Sequence, residues 1–93
     1  MINQEVLSVA VSHYGKRNQI DQLFEEMAEL TKELTKNLRG ANNVNCIAEE
    51  IADVEIMLEQ MKIMFNCESN VQLWKNFKLE RLRHNLTMEG VIV

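Results

Sequence analysis

The chain has 93 residues, 46% of them hydrophobic and 26% charged, with a net charge of −4. The length fits one domain, residues 1–93, with a thin core, and the acidity argues against generic binding to nucleic acid or to an anionic membrane surface. No apolar run approaches the roughly 18–20 residues of a membrane-spanning helix.

The chain has no Pro, only three Gly, and much Leu, Ile, Met, Glu and Lys. Little in it would break a helix, so the expected fold is all-α, an antiparallel bundle of about four helices. The start, Met1-Ile2-Asn3-Gln4-Glu5, lacks the basic and apolar regions of a signal peptide. Cys46 and Cys67 form no CxxC pair and read as reduced thiols. A cytoplasmic location is the expectation.

Residues 3–13 read as a first short helix, with Val6, Leu7, Val9, Ala10 and Val11 as its apolar surface and Gly15 as its stop. His13 to Arg17 form a connection. A second helix is expected over 18–38, where Ile20, Leu23, Phe24, Met27, Leu30, Leu34 and Leu38 recur at three- and four-residue steps. Asn18 is its candidate N-cap and Gly40 its stop. The Asn-rich segment 40–45 is a loop, with Asn45 as the chosen N-cap of the third helix and Asn43 close behind. That helix spans 46–66, with a stripe of Ile47, Ile51, Val54, Leu58, Met61 and Phe65. Ile56 and Ile63 fall opposite the stripe, so this helix is expected to pack on two sides, one of them against another subunit. Ser69 and Gln72 match a capping box for a fourth helix from about 70 to 86. Trp74 is expected in the core.

One pattern occurs twice. Residues 25–30 read Glu25-Glu26-Met27-Ala28-Glu29-Leu30, and residues 49–54 read Glu49-Glu50-Ile51-Ala52-Asp53-Val54. At about 100° per residue, Glu26 falls about 60° and Glu29 about 120° to one side of a stripe centred on Leu23, Leu30 and Leu34. Glu50 and Asp53 take the same offsets from Ile47, Val54 and Leu58. Glu25 and Glu49 point about 160° away, towards solvent. Single acidic runs on helices are usually solvated faces. Two copies in matched phase, with no Lys inside either, point instead to four carboxylates at one interhelical seam.

Such carboxylates repel one another unless a cation joins them. All-oxygen ligation selects Mg²⁺, or Mn²⁺, and a spacing of three residues lets two carboxylates on one helix reach one ion. Neither His13 nor His84 supplies the Glu-x-x-His spacing of a di-iron bundle. Mg²⁺ held by few carboxylates keeps positions open for water and substrate phosphates, which points to phosphoryl chemistry. Glu25, Glu33 or the second oxygen of a ligand would take the proton from the attacking water.

The EExxE of Glu25 to Glu29, followed after 20 residues by the ExxD of Glu50 to Asp53, resembles the signature of the MazG-like nucleoside triphosphate pyrophosphohydrolases. The resemblance runs from about residue 13 to residue 84 and is to the short single-domain type. It implies an all-α domain that forms a homodimer or a dimer of dimers. The implied activity is Mg²⁺-dependent cleavage between the α and β phosphates of a (deoxy)nucleoside triphosphate, giving a monophosphate and pyrophosphate in a house-cleaning role. It further implies that Glu26, Glu29, Glu50 and Asp53 are metal ligands and catalytic, with Glu25 the first acid of the motif.

Among the remaining residues, Lys78 and Arg81 lie three apart on the last helix and are candidates for the substrate phosphates. The resembling family often carries basic residues there. Tyr14 and Gln19 precede the acidic motif and are candidates to hydrogen-bond a base. Lys16 and Arg17 are weaker phosphate candidates, and Lys32 and Lys36 are expected to pair with Glu29 and Glu33 on their own helix. The reading from a different class is a non-catalytic, metal-stabilised helical oligomer that acts by binding. The preferred base and sugar and the number of metal ions stay open.

Overall fold

A computed structural model describes residues 4–91, and among them it contains four helices and no strand. These are α1 (Gln4–Tyr14), α2 (Lys16–Leu38), α3 (Val44–Met64) and α4 (Glu68–Met88). The all-helical expectation holds for the described residues. The expected start of the first helix at residue 3, and Ile92 and Val93 of the tail, lie outside them.

The C-terminal stops are written in the chain. After α2, Gly40 takes φ 98°, its N–H reaches the Asn37 carbonyl and the Ala41 N–H reaches the Lys36 carbonyl. This is a Schellman ending. Asn66 (φ 49°) closes α3 in the same way and Gly90 closes α4. A positive φ is strained for most residues, and Gly and Asn tolerate it best.

The N-terminal expectations need correction. The connection at 13–17 is a single residue, Gly15, and α2 begins at Lys16. Asn18 therefore sits inside the first turn of α2 and donates from Nδ2 to the Tyr14 carbonyl at 3.0 Å, tying α1 to α2. The N-cap position of α3 is Asn43 rather than Asn45, and that of α4 is Cys67 rather than Ser69. Gln72 does not reach back towards a cap; its Nε2 donates forward to Asn76 Oδ1 at 3.0 Å.

Asn43 makes no cap hydrogen bond because its side chain is used elsewhere. Its Nδ2 donates to the Glu33 carbonyl at 2.8 Å and to Glu33 Oε1 at 2.9 Å, and its Oδ1 accepts from Asn37 Nδ2 at 3.3 Å. Lys36 Nζ lies 3.2 Å from the other Glu33 oxygen. The loop between α2 and α3 is thus clamped to the last turns of α2.

Helix α3 packs on both α2 and α1, and α2 also meets α1. The buried apolar residues are Leu7 and Met57, and the buried polar ones are Gln19, Glu33 and Gln60. On α3 the packed face runs through Glu50, Asp53, Met57, Gln60 and Met64. At 100° per residue this face lies about 90° from the expected stripe, and Ile51, Leu58 and Phe65 of that stripe are 42–50% exposed. On α2 the rotation is about 40° in the same sense. Gln19, Leu23, Glu26, Leu30 and Glu33 face inwards, whereas Phe24, Met27 and Leu34 are 45–62% exposed.

Among the described residues, helix α4 contacts α3 alone and buries none of its own side chains. Trp74 is 61% exposed, not in the core, and meets Phe77 edge-to-face at 6.0 Å. Leu73, Leu79 and Leu82 are also more than half exposed. A cavity of about 570 Å³ opens beside the α3–α4 turn, lined in part by Leu58, Met61, Cys67 and Val71. Cys46 and Cys67 are free thiols.

Candidate metal centre

The same rotation that exposes the apolar stripes turns the acids inwards. Glu26 from α2 and Glu50 and Asp53 from α3 are half-buried, and each offers a carboxylate oxygen within 4.8 Å of the others. The clamp at Asn43 ties the start of α3 to the last turns of α2. One turn along α2 from Glu33 comes Leu30, and a further turn brings Glu26 opposite Glu50 and Asp53.

The crowding has an electrostatic signature. Burial pushes the Glu26 carboxyl above its ordinary value, and the neighbouring Asp53 adds to this. A hydrogen bond from Gln22 Nε2 to Glu26 Oε1 at 2.7 Å works in the opposite direction. Glu50 is raised as well, first by burial and then by the charges of Asp53, Glu26, Glu29 and Glu49. Among the described residues, the buried Glu50 Oε2 has no hydrogen-bond partner.

Glu29 is exposed and stands outside the three-carboxylate cluster, although its charge reaches Glu50. The α2 rotation leaves it about 80° from the centre of the packed face, at its rim. Glu25 and Glu49 point to solvent, as the phase of the motif requires. Glu33 is committed to Asn43 and Lys36, and the Asn43 bond, followed by Lys36, holds its carboxyl below its ordinary value.

The candidate phosphate contacts lie apart from this cluster. Lys78 and Arg81 are on α4, which does not touch α2; they cover the rings of Trp74 and Phe77 at 5.7 and 5.9 Å. Arg17 pairs with Asp21 at 3.5 Å, and Lys16 sits over the Phe65 ring at 5.2 Å.

Tyr14 and Gln19 are brought together. They line one cavity of about 380 Å³ where α1, α2 and α3 meet, with Ala10, Asn18, Gln22, Met57 and Gln60. Gln19 and Gln60 are 5% and 7% exposed, and the Oε1 atom of each lacks a partner among the described residues. Gln22 and Gln60 escape a reading of the sequence centred on the apolar stripe. The signal that finds them is their spacing from the acids: Gln22 lies one turn before Glu26, and Gln60 two turns after Asp53. No protein-family model, curated protein or solved structure matches this chain.

Proposed function

We propose that the chain is a Mg²⁺-dependent nucleotide pyrophosphohydrolase of MazG-like type, cleaving (deoxy)nucleoside triphosphates to monophosphate and pyrophosphate. The observation that carries this is the cluster of Glu26, Glu50 and Asp53, with one buried Glu50 oxygen lacking any partner. Three converging carboxylates with an orphaned acceptor suit a hard divalent cation. Glu26, Glu50 and Asp53 would hold it, and Glu29 stands beside them on the rim. When bound, Mg²⁺ offsets phosphate charge and acidifies a coordinated water.

The rest falls to the chain's own groups. Glu33 is already engaged by Asn43 and Lys36, which removes it as the proton acceptor. The second oxygen of a liganding carboxylate is left to take the proton from the attacking water. Gln22 holds Glu26 in place through its 2.7 Å bond.

The working form in this proposal is a homodimer or a dimer of dimers. The rotations of α2 and α3 leave Phe24, Met27 and Leu34 of α2 and Ile51 and Leu58 of α3 as an outward apolar face. That face and the α4 residues Leu73, Trp74, Phe77 and Leu82 are exposed apolar surfaces of the kind that close on a partner. Helix α4 carries four basic and two acidic residues in a chain of net charge −4. It therefore complements the acidic α2–α3 pair of a second copy and would carry Lys78 and Arg81 towards that copy's phosphates. The exposed α4 face also favours the second reading, a non-catalytic metal-stabilised oligomer.

The two readings separate in one assay, a panel of NTPs and dNTPs with Mg²⁺ followed by pyrophosphate release. Pyrophosphate from one or more substrates is the expected result. Its absence with metal binding intact leaves the scaffold reading, and orthophosphate release means that a different bond is cut.

A further inference from the structure

The cavity between α1, α2 and α3 is unlike a phosphate site. No charged side chain lines it. Four carboxamides, from Asn18, Gln19, Gln22 and Gln60, share it with Met57, Ala10 and the Tyr14 ring. Its volume of about 380 Å³ falls at the small end of ligand pockets. Apolar and aromatic walls with a few fixed polar groups suit a flat, neutral, hydrogen-bonding ring.

The pocket lies beside the acidic cluster along two helices. Gln22 lines the cavity and also donates to Glu26. Met57 lines it one turn past Asp53. One helical pitch, about 5.4 Å, separates the two regions, and a single pentose between a base and its first phosphate spans such a gap.

Two buried acceptors in the wall, Gln19 Oε1 and Gln60 Oε1, have no donor. A buried carbonyl oxygen without a hydrogen bond is costly, and a ligand N–H removes that cost. We propose that this cavity is a nucleobase pocket that selects bases carrying an amino group. Guanine offers a ring N–H and an amino group, whereas cytosine and adenine offer an amino group with two hydrogens. Uracil and thymine offer one N–H and leave one glutamine oxygen unmatched. This inference rests on the nucleotide reading above for its ligand class, but not on catalysis.

The test is equilibrium binding of cytidine, guanosine, adenosine and uridine to the full chain without metal. The amino-bearing nucleosides should bind at least about tenfold more tightly than uridine, the difference of about one hydrogen bond. Gln60→Met and Gln19→Met, which keep side-chain length and delete the amide, should each reduce that preference severalfold. A thermal melt of each variant reports that it is folded, and either one suffices for the comparison. Uridine binding as tightly as cytidine and guanosine, binding of none of the four, or an unchanged preference in a folded variant would overturn the proposal. Nucleoside binding needs neither Mg²⁺ nor turnover. A chain that releases no pyrophosphate but shows this preference keeps the pocket and loses the enzyme; one that hydrolyses every base equally does the reverse.

Discussion

Replacing Asn43 with Ala tests the clamp that ties the start of α3 to the end of α2. The substitution removes two hydrogen bonds to Glu33, at 2.8 Å to its carbonyl and 2.9 Å to its carboxylate. The carbonyl bond alone is worth about 1 kcal/mol net. For a domain of this size that lowers Tm by about 4–8 °C, and loss of the charge-assisted bond lowers it further. The pH dependence carries a signature. Glu33 is held below its ordinary value, first by Asn43 and then by Lys36, so its contribution is complete above the ordinary carboxylate range. It is lost as pH falls through the depressed value. The Tm gap between wild type and Asn43→Ala should therefore be largest near neutral pH and should shrink in acid. Thermal unfolding followed by circular dichroism across that range is the assay. A gap below about 1 °C near neutral pH, or one that does not shrink in acid, would refute the clamp.

Further outcomes follow from the same geometry. Glu50→Gln should raise the metal-free Tm near neutral pH, because the folded-state carboxyl is raised and its penalty grows as pH climbs past the ordinary carboxylate value. The same variant should lose the stabilisation that Mg²⁺ gives the wild type, and differential scanning calorimetry with and without Mg²⁺ reads both effects. Met57→Ala, at a buried apolar side chain, should cost about 2–5 kcal/mol, measured by urea denaturation. Trp74→Glu should turn a dimer or tetramer into monomer in sedimentation at micromolar concentration; a wild-type chain that is already monomeric there removes the second copy from the proposal.

The helices were legible in the sequence because helix formation and Schellman endings are local. Gly40, followed by the Asn-rich stretch, ends α2 whatever the rest of the chain does. The N-caps were less legible. Asn43, Asn45 and Ser69 all have cap chemistry, but Asn43 is drawn off by Glu33, a partner ten residues away that local pattern does not reveal. The phase of α2 and α3 is not legible for a related reason. Placing the apolar stripes of α2 and α3 inwards assumes that one chain buries its own hydrophobic residues. This chain buries Gln19 and Gln60, half-buries Glu26, Glu50 and Asp53, and leaves Phe24, Ile51, Leu58 and Trp74 exposed. Inward stripes make Glu29 an equal member of a four-carboxylate seam, whereas a rotation of about 40° leaves Glu29 at the rim and draws in Glu26.

The central claim is that Glu26, Glu50 and Asp53 converge on one divalent cation. Crystals of the chain grown with Mn²⁺ and measured for anomalous scattering test it most directly. A peak is expected at ligand distance from oxygens of all three carboxylates, absent in Asp53→Asn crystals grown the same way. A peak elsewhere, none at all, or one that persists unchanged in Asp53→Asn would contradict it.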